Sequence, residues 1–129
     1  MKPMANDFGM GGIEQMFFAG SVAFDDEGIG TGLELFKAPN KMVITKAVAV
    51  VTTAFNAGTT NVLTLGANDD ADDLLGSSDV TEGTKGAYSK NTFVEVAKGA
   101  KIKAKFTETG TAATAGAADI YLFFVTVAE

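Results

Sequence analysis

Short β-branched and aromatic runs, each closed by a turn of glycine, asparagine or aspartate, recur from Ile13 to Val127 and leave room for one helical turn. Met16-Phe17-Phe18 and Val22-Ala23-Phe24 are small apolar pieces broken by Gly20 and by the polar turn Asp25-Asp26-Glu27-Gly28. Leu33 to Phe36 comes next and ends at Ala38-Pro39-Asn40. Met42 to Phe55 is the longest extended candidate, rich in β-branched residues and free of Gly and Pro. A straight run of that length exceeds an ordinary strand, so a bulge or change of face is expected near Lys46. Asn56 to Thr59 reads as a turn, and Asn61 to Leu65 as the strand that returns beside it.

Farther on, Ala87-Tyr88 and Thr92 to Val96 read as two short strands. Lys101 to Phe106 alternates, with Ile102, Ala104 and Phe106 on one face and Lys101, Lys103 and Lys105 on the other. The three lysines suit a solvated edge that resists pairing with another sheet better than a nucleic-acid site. Ile120 to Val127 is apolar on both faces, which places it mid-sheet with Leu122 and Phe123 buried on opposite sides. The pattern predicts an all-β single domain, a β-sandwich of jelly-roll type with about eight short strands. Residues 1–12 are expected to be a flexible N-terminal arm, either a frayed end or a segment that orders against a neighbouring subunit, and residues 13–129 the sandwich. Met4, Phe8 and Met10 make that arm apolar among glycines and polar residues, so they are candidate interface residues.

Composition limits the chemistry. The 129 residues include no Cys, His or Trp. Without thiolate and imidazole, Ser-His, Cys-His and thiolate-zinc sites are excluded, and only carboxylates, Lys, Tyr, Ser and Thr remain for catalysis. The net charge of −6 with no basic run argues against nucleic acid and against an anionic membrane surface. No apolar run approaches a membrane span and the N-terminus lacks a secretory segment, so an acidic soluble protein made in the cytoplasm is expected.

The densest chemistry is the run Asn68 to Gly76, where Asp69, Asp70, Asp72 and Asp73 precede Leu74 and Leu75. A calcium loop beginning at Asn68 would use Asp70 and Asp72 as ligands, but Asp73 stands where glycine is needed and Asp79 where a bidentate Glu is needed. A short helical turn over 69–75 accounts for more of the residues, with acids at its positive end, leucines facing the core and Gly76 ending it. Gly28, Gly30 and Gly32 lack the Lys-Ser/Thr of a phosphate loop and read as a flexible hairpin. No catalytic residue, cofactor or metal is assigned, and no enzyme is expected.

Val48 to Gly66, "VAVVTTAFNAGTTNVLTLG", and Phe106 to Val125, "FTETGTAATAGAADIYLFFV", resemble small β-rich structural proteins of tailed bacteriophages and prophages. The resemblance covers the part of the chain after Met42 and rests on strand-and-turn phrasing. It implies a virion protein that decorates or cements the head, bound to the major capsid protein or other virion proteins as a homo-oligomer, with a trimer as the expected state. A neck or tail component is the structural alternative. From another class, a calcium-dependent carbohydrate-binding sandwich would use Asp70 and Asp72 as ligands, but it calls for exposed aromatic sugar platforms and the chain has no Trp and only Tyr88 and Tyr121 as tyrosines.

Overall fold

A computed structural model of the chain describes residues 14–67 and 72–127. Among these, seven strands and no helix form two antiparallel sheets that share one core. The strands are β1 (Gln15–Ala23), β2 (Leu33–Lys37), β3 (Met42–Thr53), β4 (Thr60–Ala67), β5 (Gly86–Val96), β6 (Lys101–Thr109) and β7 (Ala117–Thr126). One sheet has the order β1-β7-β3-β5 and the other β2-β6-β4. Each strand therefore lies in the opposite sheet from the one before it, a β-sandwich with no hairpin inside either sheet.

This alternation corrects two expectations. Asn61 to Leu65 does not pair with the strand before it, because β4 pairs with β6. The connection at residues 54–59 carries the chain across the core, with Phe55 buried against Phe106 at 4.8 Å between ring centroids. The lysines of β6 do not mark an edge either, since β6 lies between β2 and β4. Their alternation was legible all the same: Ile102, Ala104 and Phe106 are buried while Lys101 and Lys103 are exposed. The strand count falls below eight because pieces that look separate are joined. Gly20 does not end a strand but sits at a bulge within β1, and Ala87 and Val96 belong to one strand, β5.

The bulge expected near Lys46 is present. Ile44 and Lys46 find successive partners on β7 and Thr45 is skipped; on β5 the same step spans Asn91 to Val94. On the inner side of β3 lie Met42, Ile44, Ala47, Ala49 and Val51, all at most 2% exposed. Small alanines suffice there because Leu63, Leu65 and Phe106 of the facing sheet fill the space. β7 is flanked by β1 and β3, as its apolar composition required. Leu122 is fully buried, but Phe123 is only half-buried, because it lies on the face of the sheet that no second layer covers among the described residues.

The helical turn expected over 69–75 is absent from its described part, residues 72–75. Leu75 instead bridges Leu65 at the free side of β4. The Leu74 and Leu75 N–H groups both donate to the Leu65 carbonyl, at 3.0 and 2.9 Å, and the Leu65 N–H donates to the Leu75 carbonyl at 3.0 Å. A single helical turn is costly to nucleate, whereas this edge offers ready backbone partners and a core that takes both leucines.

Candidate functional site

The two outer faces of the sandwich differ in character. On the three-stranded sheet the outward positions carry Lys101, Lys103, Lys105 and Glu34, with Lys101 Nζ 3.8 Å from the Glu34 carboxylate. That is an ordinary water-facing surface. The four-stranded sheet is largely apolar outside on β1, β7 and β3, while its edge strand β5 sets Ser89 and Asn91 beside Val48 and Lys46. Residues directly opposite each other on paired strands project to the same side. The register sets Lys46 opposite Phe123, Val48 opposite Tyr121 and Val50 opposite Asp119. Across the other side of β7, Met16 pairs with Phe123 and Phe18 with Tyr121.

These residues form a shallow groove of about 350 Å³ lined by Met16, Val48, Val50, Tyr121 and Phe123. Met16 and Phe18 are 54% and 53% exposed, which is unusual for two large apolar side chains side by side on one strand. The Phe18 and Tyr121 rings stand 5.3 Å apart between centroids, and Lys46 Nζ lies 5.2 Å from the centre of the Phe123 ring. At the far end the Ser21 hydroxyl donates to Asp119 Oδ1 at 2.6 Å. At the near end the Thr45 hydroxyl donates to Glu14 Oε2, tying the chain just ahead of β1 to the bulge of β3. The groove thus has the Lys46 cation beside the Glu14 carboxylate at one end, the Asp119 carboxylate at the other, and an apolar floor between them.

Phe93 is a second exposed feature. It is 72% exposed and has φ of 52°, the only non-glycine residue among those described with positive φ. It belongs to the two-residue step of β5 opposite Thr45, where the Thr92 hydroxyl donates to the Ile44 carbonyl at 2.5 Å. A bulky side chain in that conformation is strained by about 1–2 kcal/mol. A pocket of about 440 Å³ also opens at the end of the sandwich between Phe17, Phe36, Met42 and Phe124.

Of the acidic run, the described members Asp72 and Asp73 lie in neither helix nor strand. Asp70 lies outside the described residues and Asp72 is exposed. Asp73 Oδ1 accepts the Ala67 N–H at 2.7 Å. Asp79 Oδ2 accepts the Gly76 N–H at 2.6 Å and stands 3.2 Å from Lys90 Nζ. Among the described residues no group of three or more acids converges as a metal site would require. The arm residues Met4, Phe8 and Met10 also lie outside the described residues. Of the two tyrosines, Tyr121 is on the groove floor, and the Tyr88 hydroxyl donates to the Thr84 carbonyl at 2.7 Å.

One buried carboxylate had no signal in the sequence. Glu82 is 7% exposed, and its Oε2 accepts the Leu63 N–H at 2.8 Å. Burial pushes its pKa above the ordinary value, against the lowering effect of the Leu63 N–H and its own N–H. It also has its backbone carbonyl bonded by the Phe55 N–H at 3.0 Å, so Glu82 ties the crossing segment to β4. Its side chain thus fastens the middle of β4 and its backbone fastens Phe55.

No family model matches the chain, and no curated protein matches it. Among solved structures, a chain of the cyanophage Pam1 capsid asymmetric unit has the same fold, with a TM-score of 0.68 at 16% sequence identity. The match covers 98% of this chain and 94% of that one.

Proposed function

We propose that the chain is a phage virion structural protein that coats or cements the head as a homo-oligomer bound to the major capsid protein. The observation that carries this reading is the fold likeness to a capsid-unit chain over nearly the whole length of both. Such end-to-end agreement means that the two chains share one domain plan with no large insertion. The strand orders β1-β7-β3-β5 and β2-β6-β4 support a jelly roll, the two-layer fold common among capsid domains, in which the Leu75 bridge beside β4 stands for the missing eighth strand. An apolar outer sheet face and an exposed, strained Phe93 suit a protein that works through surfaces. Residues 1–12, with Met4, Phe8 and Met10, enter this reading as an arm that engages a neighbouring virion protein. Many weak contacts of this kind, repeated over a shell, give tight attachment by avidity.

The test is co-sedimentation of purified protein with undecorated heads, which keep the major capsid protein and lack this chain. Association at saturable stoichiometry is expected, weakened by Phe93→Ala and by deletion of residues 1–12. Heads that sediment free of the protein at every concentration would overturn the reading. Binding confined to necks or tails would move the protein to those parts of the particle.

A further inference from the structure

We propose that the outer face of the four-stranded sheet is the surface through which two copies of this chain meet. The inference rests only on the homo-oligomer part of the virion reading, and it puts a two-fold contact in place of the expected trimer.

The first support is the residue choice on β3. Its inner side uses Ala47 and Ala49 where its outer side uses Val48 and Val50. A water-facing strand has no need of valines, and the three-stranded sheet of the same molecule shows the lysines and threonines that water favours. The second support is size. Four strands about 4.8 Å apart, over the roughly 24 Å from Met16 to Ala23, offer about 450 Å² of face per copy. Two such faces remove about 900 Å², below the roughly 1,200 Å² of stable interfaces and in the range of weak, reversible association.

Charge selects a second copy of the same chain as the occupant. Lys46 and Asp119 sit at opposite ends of the groove, about 13 Å apart by strand rise, with Val48 and Tyr121 paired midway. A two-fold axis through the Val48–Tyr121 pair brings each copy's Lys46 against the other's Asp119. Both charges are already held at the face, Lys46 over the Phe123 ring and Asp119 by the Ser21 hydroxyl. A surface that complements itself in this way is what a two-fold contact needs, and the two ion pairs stop the apolar faces from sliding.

Sedimentation velocity of the full chain over a range of concentrations tests this. Wild type is expected to exceed the mass of one chain as concentration rises. Met16→Lys and Phe18→Lys, both at exposed sites on an edge strand, are expected to raise the dissociation constant about tenfold or more, with unchanged circular dichroism. Lys46→Glu and Asp119→Lys should each weaken association by about threefold to tenfold, and Lys46→Glu/Asp119→Lys together should restore it. A chain that stays single at the highest concentration overturns the proposal. So does association that Phe18→Lys and Met16→Lys leave unchanged, or a double variant that fails to recover. Head binding measured on the same samples separates the two readings: self-association without head binding defeats the virion assignment alone.

Discussion

Replacing Leu122 and then Phe123 by alanine probes the two faces of β7 one residue apart. Leu122 is 0% exposed and lies among the buried residues of both sheets. Leu→Ala removes three carbons, which at about 0.8 kcal/mol each is a transfer loss of about 2.4 kcal/mol. The enclosed cavity adds to this at about 24 cal/mol per Å³, giving roughly 3–5 kcal/mol in all. Melting of a 129-residue domain moves by about 4 °C per kcal/mol, so a fall of about 12–20 °C is expected. Phe123 lies over the open face, where water or a rearranged Lys46 side chain takes up the vacated space. With no closed cavity formed, Phe123→Ala should cost about 1–2 kcal/mol, or roughly 4–8 °C. Both variants are to be melted at low protein concentration, so that association does not contribute. Equal losses, or a larger loss at Phe123, would mean that the inward and outward faces of β7 are wrongly assigned, and with them the groove.

Three further outcomes are expected. Because the folded-state pKa of Glu82 is raised, its contribution to stability is full below the unfolded value and is lost as pH rises through the folded value. Glu82→Gln keeps an acceptor for the Leu63 N–H and should be at least as stable as wild type at neutral pH; a wild-type melt that showed no loss on raising the pH relative to the variant would contradict this. Phe93→Asn should stabilise the isolated subunit by about 1 kcal/mol, since asparagine tolerates positive φ and little burial is lost at a site 72% exposed; a lower melting temperature would show that the ring is held by contacts the strain argument omits. Millimolar calcium should leave the melt unchanged, whereas a site filled at a hundred times its dissociation constant would add about 2.7 kcal/mol, or roughly 10 °C.

The alternation Ile102, Ala104, Phe106 against Lys101, Lys103, Lys105 is a local statement about one strand, and it held because a two-residue period is a property of extended backbone. The bulge near Lys46 was legible for a similar reason, since the β-branched run there is too long to stay straight. The groove was not legible. β7 reads as apolar on both sides, and no residue in it says which side meets the second sheet. Glu82 looks like any loop acid until the fold closes over it. Leu74 and Leu75 carry the pattern of a helical turn, and only the free carbonyl and N–H of Leu65 turn them into a bridge.

By itself, then, the order of residues determined an all-β domain, the strand at the middle of a sheet, and a chemistry without thiols or imidazoles. Tertiary structure decided which strands pair, because pairing joins residues distant in the chain, such as Gln15 with Phe124. It also decided which of two apolar faces is core. That choice is made by fit: alanines at 47 and 49 leave room for Leu63, Leu65 and Phe106, and the valines and aromatics on the other side are left facing out.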